Sequence, residues 1–214
     1  MKVAVINEVS ASSRNADIMN ALKDCGVELY NVGMRCPEET PQLTYIHTGI
    51  MTGILLNIGA CDMVIGGCGT GQGYLNSCMQ YPNVFCGLIT QPLDAWLFSQ
   101  INGGNCVSLA LNKGYGWAGD INLKYIFHRL FEDSPGNGYP PERRESQMQS
   151  RMALKHISSV AHKDMAGILE ELDMEMVRTI AGNTRFMELI ENQVALGNES
   201  AEKILHILKK ADSM

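Results

Sequence analysis

The sequence has no excess of positive charge. Its 17 lysines and arginines stand against 23 aspartates and glutamates, a net of −6, so nothing in the balance attracts a phosphate backbone and a nucleic-acid partner is not expected. Nor is there a long apolar run: no stretch approaches the ~20 residues that cross a bilayer, and no membrane partner is expected. The N-terminal Met-Lys-Val-Ala-Val-Ile-Asn-Glu reaches a carboxylate after four apolar residues, which reads as a first strand and not as a signal peptide. The seven cysteines lack the even number and clustering of a secreted disulfide framework, and none has close metal-ligand spacing. They read as reduced thiols of a cytoplasmic protein, with no metal and no cofactor expected. Internal repeats and low-complexity segments are absent as well.

What is present suffices for one folded unit. A chain of 214 residues, 45% hydrophobic and 19% charged, can bury one α/β core and carry an appendage, but is short for two equal domains. Val3–Ile6, Val27–Val32, Met63–Gly66, Val84–Ile89 and Cys106–Leu111 read as short apolar strands. Helical stretches fall between them. One runs from about Arg14 to Cys25 and stops at Gly26, one spans Tyr45–Asn57, a short one covers Tyr74–Met79, and one enters at Pro92 and runs to about Ile101. The alternation of strand and helix implies an α/β fold with a mostly parallel sheet covered on both faces. Trp117–Glu132 is expected to cover one edge. Beyond the Gly- and Pro-rich loop Asp133–Pro141 no strand-like run occurs, so residues 1–133 form the α/β unit and 134–214 a helical extension. Its apolar faces, Met148, Met152 and Ile157 among them, are expected to pack on the core or on a symmetry mate.

The chain is organised around Asp62–Tyr74, Asp-Met-Val-Ile-Gly-Gly-Cys-Gly-Thr-Gly-Gln-Gly-Tyr. A buried strand ends there in a loop where Gly66, Gly67, Gly69, Gly71 and Gly73 surround one thiol and one hydroxyl. Glycines at that density let main-chain N–H groups approach and face an anion, and a thiol among such dipoles is acidified. Cys68 is therefore the candidate nucleophile or base, and the other six cysteines read as core. Glu8, at the carboxyl end of the first strand where α/β sheets bind ligands, is either a turn carboxylate or a partner for substrate hydroxyls. Thr70 either caps the next helix or orients a substrate. Asn102 and Asn105 bracket a second glycine turn and suit left-handed geometry.

Taken with the first strand and the Asn102-Gly103-Gly104-Asn105 turn, the Cys-Gly-Thr-Gly-Gln-Gly motif resembles the ribose-5-phosphate isomerase B and galactose-6-phosphate isomerase family over roughly residues 1–132. The resemblance implies a Rossmann-like three-layer sandwich with a five-stranded parallel sheet, a homodimer or higher homo-oligomer with the site at its interface, and metal-free aldose–ketose isomerisation through an enediolate. It carries the proton-transferring role onto Cys68 and enediolate stabilisation onto Gly69, Gly71 and Gly73, and it matches family positions at Thr70, Tyr45, Asn102 and Asn105. Other family positions differ: the Asp-His after the first strand is Glu8-Val9, which keeps a carboxylate and loses the histidine, the ring-opening histidine is Ile101, an arginine before the fourth strand is Phe85, and a histidine after it is Thr90. Runs such as Gln-Leu-Thr-Tyr at 42–45 and Gly-Tyr-Pro-Pro-Glu-Arg at 138–143, together with the helical tail, resemble the longer members that isomerise 4-deoxy-L-threo-5-hexosulose uronate, an open-chain acid that needs no ring opener. A uronate needs a cationic anchor, and arginine grips a carboxylate with two parallel bonds; Arg14, Arg35, Arg143, Arg144 and Arg151 are the candidates. Two other readings remain open: a pentose or hexose phosphate substrate, and a non-catalytic sugar-acid binding protein.

Overall fold

The computed structural model describes residues 1–213. Strands β1 (Lys2–Asn7), β2 (Glu28–Asn31), β3 (Met63–Cys68), β4 (Cys86–Ile89) and β5 (Cys106–Ala110) form one parallel sheet in the order β2-β1-β3-β5-β4. All of β3 and nearly all of β1 and β5 are buried, because helices cover both faces, as a parallel sheet requires. Strand alternation sorts the core into two halves. Ala4, Ile6, Val64 and Cys106 pack under α2 (Tyr45–Asn57) and α3 (Gln72–Cys78). Val3, Val5, Ile65, Val107 and Leu109 pack under α1 (Asn15–Leu22), α4 (Pro92–Leu97) and α5 (Gly119–Phe131). The expected α/β sandwich with a five-stranded parallel sheet is what forms.

Several boundaries move for identifiable reasons. The third strand runs on through Gly67 and Cys68, since both still pair with Leu109 and Ala110, so Cys68 is the last residue of the strand. Helix α3 starts at Gln72, ahead of Tyr74, because Gly71 at φ +77° makes the turn in a conformation other residues resist. The helix entered at Pro92 loosens into a π-helical turn over Phe98–Asn102, which Gly103 ends at φ +51°. The segment expected to cover a sheet edge, Trp117–Glu132, instead forms α5 on a face, where Leu123, Ile126, Phe127 and Leu130 join the core beside α1 and α4.

The tail divides in two. Helices α7 (Met165–Glu171), α8 (Met174–Ala181), α9 (Thr184–Ala195) and α10 (Glu199–Asp212) add Leu169, Val177, Ile180, Phe186, Ile190 and Leu208 to the core over α2. Each starts on a side chain that accepts an N–H of its first turn, from Asp164, Asp173, Asn183 and Asn198 in order. Helix α6 (Arg144–Ala161) differs: none of its 18 residues is buried. Met148, Met152 and Ile157, expected on a packed face, are exposed because nothing among the described residues lies over them. Arg151 Nη1 donates to Ile101 O at 2.9 Å, and Ser158 Oγ accepts from Asn83 N at 2.9 Å. Ile101 and Asn83 lie in the segments that lead into β5 and β4, so α6 crosses the sheet at the end where these strands begin.

Tyr74 locks α3 to the sheet. Its ring lies over Gly66, so close that a Cβ there would sit 2.4 Å from Cζ. Its hydroxyl meets Thr52 Oγ1 at 2.7 Å. Gly66→Ala is expected to destabilise the protein by about 1–3 kcal/mol through overpacking, a fall of several degrees in Tm by differential scanning calorimetry.

Candidate active site

Strands β1 and β3 are neighbours whose connections leave in opposite directions along the sheet. That reversal opens a crevice outside their carboxyl ends, the usual ligand place in such sheets. Asn7 pairs with Gly67, so Glu8 and Cys68 each follow a paired residue at the carboxyl ends of these neighbouring strands. Cys68 keeps 6% of its surface open, while Cys78 and Cys106 are sealed at 0%. The Glu8 carboxylate, 3% exposed, accepts from Ser10 N at 3.1 Å and from the Ser10 hydroxyl.

The glycine loop is held by its carbonyls. Cys68 O accepts from Leu111 N at 3.0 Å and Gly71 N at 3.3 Å, and Gly69 O accepts from Asn112 N at 3.0 Å and Lys113 N at 2.8 Å. With the carbonyls so occupied, the N–H groups of Gly69, Thr70 and Gly73 find no acceptor among the described residues. They form a fixed set of donors around the end of β3, the kind of preorganised array that stabilises charge developing on a substrate oxygen. Tyr45, the first residue of α2, is 43% exposed rather than core. A Cβ at Gly73 would lie 3.2 Å from its ring, so the ring stands against the loop, and Val9 N donates to Leu43 O at 2.8 Å to hold that segment beside Glu8. Thr70 is exposed, and its Oγ1 accepts from Gln72 N at 3.3 Å. A cavity of about 240 Å³ opens beside Thr70, Ala110, Lys113 and Tyr115 on the α5 side.

The other expected site residues stand elsewhere. Asn105 O accepts from Val64 N at the beginning of β3, and the ladder runs four residues from Cys106 opposite Val64 to Ala110 opposite Cys68. The Asn102–Asn105 turn is therefore about 13 Å of strand from its own Cys68. Asn105 is engaged in the fold: its Oδ1 accepts from Phe85 N at 2.8 Å and its Nδ2 donates to Asn83 O at 2.7 Å. Asn102 is exposed. Arg143 is exposed in the turn that opens α6, and Gly138 N donates to Gln100 O at 2.9 Å to hold that loop at the same far end. Arg35 follows β2, and its guanidinium binds Glu39, which also accepts from Arg185 Nη1 at 2.8 Å.

At the rim itself, sequence reasoning missed Ser10, Asn112 and Lys113. Asn112 Nδ2 donates to Ser10 O at 2.9 Å and ties the loop after β5 to the turn after β1. Arg14 lies with its guanidinium 4.3 Å from the centroid of the Tyr115 ring, and its buried Nε has no partner among the described residues. Arg14 and Lys113 are thus the cations that this rim itself carries.

A parallel sheet with a thiol, a buried carboxylate and unsatisfied amides at its reversal point is the layout of an α/β sugar isomerase. A family model described as "Ribose/Galactose Isomerase" matches residues 3–129, and the chain belongs to that family. A 4-deoxy-L-threo-5-hexosulose-uronate ketol-isomerase, solved in complex with a tartrate, is 40% identical over 100% of both chains, with a TM-score of 0.91. A ribose-5-phosphate isomerase from Vibrio parahaemolyticus is 40% identical over 99% of both, with a TM-score of 0.90. The ribose-5-phosphate isomerase B of Clostridium thermocellum, 18% identical over 76% of this chain and 100% of its own, shares the fold at a TM-score of 0.63. A comparison with curated protein sequences finds no match. No helix among the described residues is long and apolar enough to cross a membrane.

Proposed function

We propose that this protein interconverts an aldose and a ketose through an enediolate, with Cys68 as the base that moves the proton and 4-deoxy-L-threo-5-hexosulose uronate as substrate. The observation that carries the reading is Cys68 at the end of β3, next to the unsatisfied N–H groups of Gly69, Thr70 and Gly73, with Glu8 following the strand residue that pairs with Gly67. Proton transfer next to a carbonyl needs a base in reach and donors aimed at the oxygen that becomes negative. In the proposed reaction the Cys68 thiolate takes the proton from C2, the electron pair moves onto the carbonyl oxygen held by the loop amides, the C2 hydroxyl proton passes to that oxygen, and Cys68, its proton exchanging with solvent in the meantime, protonates C1 as C2 becomes the carbonyl. Glu8 accepts from substrate hydroxyls, Thr70 orients the substrate, and Tyr45 stands over its sugar carbons. No metal or cofactor has a part in these steps.

An open-chain acid suits the residues present. Ile101 supplies no imidazole to open a ring, and the Thr90 hydroxyl is held by Asp94 at 2.7 Å. Arg14 and Lys113 offer positive charge at the rim for a carboxylate. Tartrate, the ligand of the 40%-identical ketol-isomerase, is likewise an open-chain hydroxy acid. The equally similar ribose-5-phosphate isomerase supports a second reading, a sugar phosphate substrate on the same chemistry.

The reading also includes a homodimer in the cytoplasm. Residues 1–133 would carry the thiol and the amides, while the partner's far edge, with its Asn102, Asn105 turn and Arg143, would close the site and the extension 134–214 would lie against the interface. The exposed Met148, Met152 and Ile157 support this placement of α6.

The test is isotopic. The protein is incubated in deuterated water with the uronate and, separately, with ribose 5-phosphate, and deuterium in the product is read by mass spectrometry. Deuterium entering only the uronate product is the expected result. Incorporation only from ribose 5-phosphate would transfer the assignment to the phosphate sugar, and none from either would leave a binding protein.

A further inference from the structure

Away from the rim, three more thiols meet. Cys78 ends α3, Cys86 begins the edge strand β4 and Cys106 begins β5 directly opposite Cys86. Their three Sγ atoms lie within 4.8 Å of one another, and Cys106 Sγ is 3.8 Å from Cys78 Sγ. A metal–thiolate bond of about 2.3 Å places sulfurs about 3.8 Å apart in a tetrahedral site and about 4.0 Å apart in a planar trigonal one. The thiols therefore already stand near the spacing that a bound ion would impose.

The surroundings are soft as well. Met79 Sδ accepts from Cys86 N at 3.4 Å, and Met79 is 45% exposed, which puts a thioether at the mouth beside the half-buried Cys86. On the inner side the Tyr74 hydroxyl lies 3.6 Å from Cys106 Sγ and is itself fixed by Thr52 Oγ1, a second layer that holds a ligand's orientation. The grouping found in this geometry contains no carboxylate or imidazole. Free cysteine often packs simply as a small apolar residue, and the solitary buried Cys61 fits that description. Three thiols converging from three separate elements, with a thioether at the opening, do not.

We propose that Cys78, Cys86 and Cys106 bind one thiophilic d¹⁰ cation per chain, of the class of Zn²⁺ or Cu⁺, independently of the isomerase site. On binding, the ligating thiols lose their protons to solvent, and no electron is transferred. The ion would join the C-terminal end of α3 to the edge of the sheet, and the other end of that helix carries the glycine loop.

The test uses the full chain, with all seven thiols verified as reduced. Zn²⁺ is titrated against a chromophoric chelator, Cu⁺ is titrated without oxygen against a Cu⁺ chelator, and Co²⁺ is added to read thiolate-to-cobalt charge-transfer absorption. One ion per chain is expected for at least one of Zn²⁺ and Cu⁺, with the charge-transfer band on Co²⁺. Cys86→Ser and Cys86→Ala should each weaken binding by more than about 100-fold, while Cys36→Ser, at an exposed thiol outside the cluster, leaves it unchanged. Melting curves show that each variant compared is folded. No uptake of either ion by the folded reduced protein overturns the site, as does uptake that survives both Cys86 substitutions or is lost in Cys36→Ser.

Discussion

Replacing Cys68 by serine is expected to lower kcat by about 10²–10⁴-fold, the weight of a positioned acid–base group, while the chain still folds. A serine hydroxyl nearly matches the thiol in size but ionises far above neutral pH, so it cannot take the proton next to a carbonyl. The fold does not depend on the sulfur. What fixes the end of β3 is main chain: the ladder from Val64 to Cys68 along β5, and the bonds from Leu111 N and Gly71 N to Cys68 O. All of these survive the substitution. The side chain is at the last strand position and still 6% open, so its burial contributes less than that of the fully enclosed Cys78 or Cys106. The measurements are solvent-deuterium incorporation and Tm on the same preparation. A variant that melts like the wild type and exchanges at its rate would shift the base to Glu8, the other proton acceptor at the rim.

The order of the elements was legible because each strand is a short apolar run bounded by turn residues and each helix carries its spacing. The end of β3 was harder. Gly67 and Cys68 look like loop by composition, and only pairing with Leu109 and Ala110 makes them strand, a fact that belongs to the partner strand. The order β2-β1-β3-β5-β4 is equally invisible in one-dimensional pattern, since any βαβ series reads alike. For the site, Cys68 and the glycines announced themselves by density. Ser10 and Asn112 did not, because their part is to tie two loops together across the sheet, and nothing nearby in sequence marks them. Tyr45 was ambiguous for a related reason: an aromatic at a helix start reads as core until Gly73 is found beneath its ring. Arg35 sits on the ligand side of the sheet as its position suggests, yet Glu39 already holds it.

The proposed assembly has a sharper consequence. In one chain the Asn102 turn ends where β5 begins, and Cys68 lies beside the end of the same strand, about 13 Å further along. If Asn102 serves an active site at all, it serves that of another copy. Asn102→Ala is then expected to lose about 10²-fold or more in kcat, as for loss of one donor to the developing charge. Cys68→Ala is expected to be inactive, so each variant alone forms dimers with two dead sites. When equal amounts are unfolded together and refolded, half of the dimers are mixed in an isologous two-fold assembly. In each mixed dimer one site carries both substitutions, and the other joins an intact Cys68 to an intact Asn102. The mixture should therefore recover roughly a quarter of wild-type activity from two nearly inactive parents. A mixture no more active than the better parent would mean that Asn102 and Cys68 never meet across an interface, and the site would then have to be completed by the rim's own Arg14, Lys113 and Tyr45.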